Sequence, residues 1–413
     1  MTRSTPSTGQ ASIGGNPDNN LKSMHTMIES NRTLLVEGWR FIPHSYAIVN
    51  QFQCLQILQR TGIRLTHRDV PYFNPDWQPA SGLFDPVGET SILNIPLAVP
   101  NERPDVLLRI SFPYNFSPST AQRTCVFGTA EWAAVPPNYF VGAQSLQQVM
   151  QETDFLIITP SNWSRRGFIQ SGADPDRVIV IPHGIDPEFF HPLDCAQRAL
   201  RRQQLGWNGF TFLSLGSMTG NKGIPLLLKA FAIVVQRYPE ARLVLKGLNS
   251  LYRSRDMFQK LAANLTLGEI QIVGPRLAWI ENTLDFWEMA RLYQAADAYV
   301  SPYLGEGFNM PVLEAAACGA LVICTHGGPT DDFTTPEFAL HIDSHEQQIE
   351  LGPDTWGSLL QPDFEHLLNQ MLTAIQCPEV CARARQNGPA FVTAGFTWNH
   401  VVDRLLAALF PPV

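Results

Sequence analysis

Residues 301–333 read SPYLGEGFNMPVLEAAACGALVICTHGGPTDDF, and the succession of strand end, turn and helix within them decides the fold. The approach, DAYVSPY (297–303), is short and apolar, with a Val and two Tyr, as a strand end would be. Pro311 suits a first helical turn, where its missing N–H costs nothing, and Gly319 suits the stop. Glu306 then falls on the loop and Glu314 about one turn into the helix. The amides of residues 307–311 point at whatever lies before that helix. Such a position attracts anions, yet two carboxylates crowd it. A ligand anionic at one end and rich in hydroxyls at the other satisfies both features.

Working outward, FTFLSLG (210–216), ARLVLKG (241–247), IQIV (270–273), DAYVSPY and ALVICT (320–325) read as strands separated by helices. The helix after the first carries Leu227, Ala230, Phe231, Val234 and Val235 on one face, the i, i+3, i+4, i+7, i+8 spacing. The first half repeats the alternation with RTLLVEGW (32–39), IRLTH (63–67), VLLRISF (106–112), DFLIITPS (154–161) and VIVIPHGID (178–186). Each half therefore predicts a parallel, doubly wound sheet. PEFFHPLDCAQRALRRQQLGWNG (187–209) has no strand and suits a linker. Two such units facing each other place a ligand between them, at the carboxyl ends of the strands.

Composition narrows the class. Of 413 residues, 45% are hydrophobic and only 16% charged, which favours large cores, and the length fits about two domains. A net charge of -8 argues against nucleic acid as a partner. The seven cysteines are scattered and odd in number, as in a reducing compartment. No apolar run reaches the ~18 residues of a membrane span, and the polar start, MTRSTPSTGQASIGGNPDNN, has no signal-peptide core. It reads as a disordered tail over 1–30.

Beside the paired glutamates, LSLGSMTGNKGIPLLLKAF (213–231) is a strand, a glycine-rich turn and a helix. Gly216, Gly220 and Gly223 let the backbone approach a phosphate, and Lys222 adds a positive charge. The spacing is neither a Walker A loop nor GxGxxG. An ordinary turn with a solvated lysine explains the same residues taken alone. Glu314 could simply complement the helix dipole and Glu306 be a loop charge, or the two could form a glycosidase pair. Three loops of this kind at strand ends in one half, the third being CTHGG (324–328), make coincidence a poor account. His183 reads as a hinge-side histidine. His44, with Ser45 after it, and His67 follow first-half strands and are acceptor-side candidates, a satisfied histidine being the bland alternative.

At these residues the chain resembles the retaining glycosyltransferases of GT-B fold, the group 1 class, family 4. VIPHGIDPEFFHP, LGSMTGNKG, EGFNMPVLEAAACG and CTHGG stand in that family's order, the third matching its E-x7-E signature. The resemblance implies a domain division of 31–195 on the acceptor side, 196–390 for the nucleotide-sugar donor, and a helix over 391–413 crossing back. It implies Lys222 and amides near Gly216 and Ser217 on the donor's diphosphate, and Glu314 on the ribose. Glu306 with Gly307, Phe308, Asn309 and Met310 would hold the sugar and distal phosphate, and the backbone near Ile272 and Val273 the base. Ser217 departs from the arginine usual at that position. The implied activity is hexosyl transfer from a nucleotide diphosphate sugar to a glycan, lipid-linked or small-molecule hydroxyl, with retention. Neither a cofactor nor a metal is expected, since no metal-ligand cluster is legible. A same-fold phosphorylase, a sugar-nucleotide hydrolase or a non-catalytic nucleotide-sugar-binding subunit would share these motifs. The expected location is cytoplasmic, with peripheral membrane contact at its inner face for a lipid-linked acceptor. Base, sugar, acceptor and oligomeric state are left open by the motifs.

Overall fold

The computed structural model of the protein describes residues 32–142 and 145–411, so the expected tail at 1–30 lies outside the described residues. The first sheet comprises β1 (Arg32–Gly38), β2 (Ile63–Asp69), β3 (Val106–Ile110), β4 (Arg123–Phe127), β5 (Leu156–Thr159) and β6 (Val178–Val180). Its spatial order is β2-β1-β3-β4-β5-β6, every pair parallel. The second comprises β7 (Thr211–Leu215), β8 (Arg242–Lys246), β9 (Leu277–Ile280), β10 (Ala298–Ser301), β11 (Leu321–Thr325) and β12 (Ala339–Ile342). Its order is β12-β11-β10-β7-β8-β9, again parallel throughout. Strands β3, β7, β10 and β11 are buried along their whole length, because helices cover both faces of each sheet. The helix Ile224–Arg237 buries the five residues its periodicity marks out.

Strand order reverses between β1 and β3 in the first sheet, and between β7 and β10 in the second. Chains leaving the two strands at such a point diverge to opposite faces and open a crevice at their carboxyl ends. Both crevices face one cleft. The expected fold class, two facing doubly wound sheets, is the observed one.

Several local expectations need correction. IQIV is not a strand but the end of the helix Leu267–Val273, which Thr266 and Glu269 open with a reciprocal capping box. Four apolar residues do not distinguish strand from helix, whereas Thr-x-x-Glu just upstream marks a helix start. The strand is β9, LAWI. Strands β4 and β12 escaped the alternation altogether. The stretch 187–209 contains the helix Cys195–Leu205, capped by Asp194 and Gln197 and stopped by left-handed Gly206. Its Arg198 and Arg202 grip Asp297 at 2.6 and 2.9 Å, fastening it to the second sheet.

The last helix, Trp398–Leu409, returns to the first sheet's side. Trp398 stacks on Phe52 at 5.3 Å and Arg60 pairs with Asp403 at 2.8 Å. Residues 391–395 belong to the preceding helix, Pro378–Gly395. An antiparallel hairpin, β13 (Ser344–Gly352) and β14 (Thr355–Pro362), was not legible beforehand. It also bridges the halves, through Ser358 N–H to the Trp132 carbonyl at 2.7 Å and Arg166 to Glu346 at 3.0 Å. No helix among the described residues is long and apolar enough to cross a membrane.

Candidate functional site

The cleft holds about 830 Å3 and takes its walls from the segments after β1, β2, β3, β4, β6, β7, β8, β9 and β10. At the second switch point, β7 ends at Leu215 and Gly216 follows with φ 157°. A Cβ there would meet the Lys222 side chain at 3.3 Å, so a glycine lets the lysine fold over the loop. Gly223, with φ 67°, opens the helix Ile224–Arg237, and a Cβ on it would run into the Pro302 carbonyl. Leu304 N–H donates to the Asn221 carbonyl at 2.7 Å, and Asn221 Nδ2 donates to the Gly305 carbonyl at 3.0 Å. The loops after β7 and β10 are thus one piece.

Lys222 Nζ lies 2.5 Å from Glu306 Oε1. Burial alone would lower the Lys222 pKa, but Glu306 and Glu131 outweigh it and hold the ammonium above its ordinary value. The helix Met310–Ala317 starts from Asn309, in the left-handed region at φ 75°, whose Nδ2 donates to Ser301 Oγ instead of capping. No side chain caps either this helix or Ile224–Arg237, leaving first-turn amides for a ligand. Glu314 accepts from the Tyr293 hydroxyl at 2.6 Å, and burial pushes its carboxyl up to about 7.

Gly216, Ser217, Lys222, Glu306, Gly307, Phe308, Asn309, Met310 and Glu314 all line this one cleft. From the first domain His44 and Ser45 line it as well. His44 caps the helix Ser45–Leu58, its Nδ1 accepting from Tyr46 N–H at 3.2 Å, and burial lowers its pKa to about 4. Two expected positions do not reach the site. Ile272 and Val273 are helical and absent from the cleft wall. His67 is fully buried, 3.0 Å from Asn50 Nδ2 and 3.3 Å from Asp69. Residues 96–98 run along the outer edge of β2 and exchange backbone hydrogen bonds with His67, whose ring meets Asn50 of the helix Ser45–Leu58 and does not line the cleft.

Three groups were missed. Lys246 ends β8 beside Gly216, is 5% exposed, and donates to the neighbouring Gly247 carbonyl. Burial alone brings its pKa down to about 8. Fully buried Ser254 donates to the Ser217 carbonyl at 3.1 Å and receives Leu248 N–H at 2.9 Å, knitting the loop after β8 to the glycine loop. Glu131, after β4, faces the cleft yet is walled in by protein. That enclosure raises its carboxyl to about 7, against the pull of Lys222 and with the push of Glu306. His183 is buried with its Nδ1 unpartnered, its ring 4.7 Å from Phe308, and burial lowers its pKa to about 3. The signals were faint: FGTAEW and LVLKG carry their charges singly at strand ends, with no motif around them.

Residues 209–344 match the family described as Glycosyl transferases group 1. The chain is similar to a mannosylfructose-phosphate synthase of Agrobacterium fabrum, 28% identical over 57% of this chain and 48% of that protein. It is also similar to a D-inositol 3-phosphate glycosyltransferase of Pseudarthrobacter chlorophenolicus, 30% identical over 59% of this chain and 54% of that one. The chain thus spans about half the length of the curated relatives it matches. In three dimensions it resembles Anabaena HepE, solved with UDP and glucose, at a TM-score of 0.65 and 16% identity, covering 92% of this chain and 99% of that structure. The segment 209–344 is thus similar to the group 1 glycosyl transferases, and the two facing sheets of the chain are those of the GT-B fold.

Proposed function

We propose that the protein transfers a hexosyl group from a nucleotide diphosphate sugar to a hydroxyl acceptor with retention of anomeric configuration. One observation carries this most directly: a cation, two uncapped helix starts and two carboxylates converge at the second switch point. The diphosphate lies against Lys222, Lys246 and the amides near Gly216 and Met310. Glu314 accepts from the ribose hydroxyls. The base rests on the loop after β9, near Thr283 and Leu284, rather than at Ile272 and Val273. Glu306, already bonded to Lys222, orients the sugar and balances the cationic character that develops at its anomeric carbon.

The acceptor oxygen bonds to that carbon as the carbon–oxygen bond to the diphosphate breaks. The acceptor's proton passes to the departing phosphate oxygen on the same face. Fixed donors on the leaving oxygens supply electrostatic preorganisation, and the facing domain excludes water. Lys222, Lys246 and the helix starts provide the positive field, so no divalent metal is required for it. What relatives and neighbours bear in their names supports a sugar-nucleotide donor: HepE was solved with UDP and glucose.

The test is a panel of UDP-, GDP-, ADP- and TDP-sugars, read first by thermal stabilisation and then by release of nucleoside diphosphate, with and without EDTA. Stabilisation by one nucleotide series and EDTA-resistant turnover are expected. No stabilisation by any of them overturns the donor assignment. An inverted anomer in early proton NMR of the product overturns retention, and activity lost in EDTA but restored by manganese overturns the metal-free mechanism.

A further inference from the structure

We propose that the acceptor is an uncharged sugar or polyol with an apolar ring face, received by the aromatic wall of the first switch point, and not a phosphorylated compound. The assignment rests on the transferase reading above and concerns the opposite half of the cleft. There Trp39, Phe73, Trp77, Phe112, Trp132 and Tyr139 face the cavity. Phe73 is 56% exposed, and its ring meets Phe112 edge-on at 5.1 Å and Trp77 at 6.4 Å. An exposed ring held by other rings is a preformed platform, onto which the C–H face of a sugar stacks at little entropic cost.

Charge gives the second observation. Among the described residues, no lysine or arginine of the first domain lines the cleft. The arginines behind the wall are turned inward: Arg40 pairs with Asp69 at 2.6 Å and Arg109 with Glu37 at 2.9 Å. His44 and His183 are held neutral by burial. The acidic side chain on this wall is Glu131, an acceptor for hydroxyl donors. Across the cleft, Lys222 is bonded to Glu306 and Arg253 to Asp256, while Lys246, at the end of β8, donates to the Gly247 carbonyl. A phosphate on the acceptor would lose its water and meet a carboxylate instead of a cation. Such an acceptor differs from those that the names of the two relatives convey, each of which carries a phosphate.

The test uses the full chain saturated with whichever nucleoside diphosphate binds it. Three pairs are compared by saturation-transfer NMR and tryptophan fluorescence: fructose and fructose 6-phosphate, inositol and inositol 3-phosphate, phenyl glucoside and glucose 6-phosphate. The uncharged member should bind about ten-fold or more tightly in each pair, a difference of ~1.4 kcal/mol. Phe73→Ala, at an exposed position, should weaken phenyl glucoside several-fold while leaving nucleoside diphosphate affinity unchanged. Glu131→Arg should admit the phosphorylated members. Tighter binding of any phosphorylated member to the unmodified protein overturns the proposal. So does an unchanged phenyl glucoside affinity in Phe73→Ala, or binding of neither kind while the nucleoside diphosphate binds. If no nucleoside diphosphate binds at all, the donor assignment falls first and by a separate measurement.

Discussion

The two switch points are built on the same plan and equipped in opposite ways. In the second sheet, the loops after β7 and β10 bring glycines, Lys222 and two glutamates to a pair of helix starts. In the first, the loops after β1 and β3 bring Trp39, His44 and Phe112. One half manages charge with backbone and ions, and the other presents ring faces and a single carboxylate. Topology chooses where a ligand lies, and the side chains at the strand ends choose which part of it lies there. Both switch points nevertheless demand a glycine where backbone passes backbone. Backbone must approach closely at Gly223, where any Cβ would strike the Pro302 carbonyl. The aromatic half has a close approach of its own, since a Cβ on Gly38, at the end of β1, would meet the Ile110 carbonyl at 2.8 Å.

The largest effect should come from the ion pair. Lys222→Ala and Glu306→Gln should each lower transfer by on the order of 100- to 1,000-fold, the scale for losing one preorganised group. Lys222→Ala additionally leaves Glu306 buried without its cation, which costs on the order of 1–3 kcal/mol of stability. Glu306→Gln in the same chain should restore the melting temperature without restoring turnover. Equal melting temperatures of Lys222→Ala and the parent would show that the pair carries no structural weight.

Next in size, Glu314→Gln should weaken the free nucleotide by a factor of about ten or more through the ribose, whereas Glu306→Gln should largely spare it. Calorimetry with the nucleoside diphosphate separates the two; equal losses would erase the division between ribose and sugar contacts. Lys246→Met should then cost about ten-fold in nucleoside diphosphate affinity but little for the nucleoside. With its free amine near 8, binding should weaken as pH rises above that value in the parent. The decline should vanish in Lys246→Met and in Lys246→Arg, the latter retaining affinity. A parent profile flat from pH 7 to 9.5 would place Lys246 outside the diphosphate contacts.

The smallest effect is on stability. Glu314 and Glu131 have an ordinary value of 4.5 and are raised to about 7 in the fold. The folded chain therefore holds protons that the unfolded chain has released between those values, and stability falls as pH rises through that window. Glu314→Gln, which can still accept from Tyr293, should melt higher than the parent at pH 8 and match it at pH 4. Thermal scans at the two pH values decide it. The site would then be seen to sacrifice stability for binding.

Much of the donor half was legible because its chemistry is local in sequence. Glu306, the turn, Pro311 and Glu314 fall within nine residues, and helix stop and cap signals fix their relation. The fold was legible for a similar reason, since apolar runs alternating with periodic helices determine a parallel sheet. Ile272 and Val273 were misplaced because a four-residue apolar run carries no period. Lys246 and Glu131 were missed for another reason. Each is a lone charge that acquires meaning only from distant residues, Gly216 beside Lys246 and Lys222 near Glu131. His67 looked like a cleft residue by position, and only the packing of the helix Ser45–Leu58, whose Asn50 meets its ring, reveals that it is buried. The hairpin β13–β14 presents mostly polar residues outward along β13 and offered no buried stripe to read.

The carbonyl of Gly307, one residue beyond Glu306, accepts two hydroxyls from the first domain, Ser161 Oγ at 2.6 Å and Ser164 Oγ at 3.1 Å. Gly307 also sits so near Thr129 that any side chain would collide with it. The loop proposed to hold the sugar is therefore moulded by the other half of the molecule, and it lies on a seam. Cutting the chain at the domain boundary would not yield a smaller sugar-binding protein but a nucleotide binder with a slack loop. Parting the domains would loosen the same loop, so on the proposed function release of a spent nucleotide and reopening of the seam would be a single event.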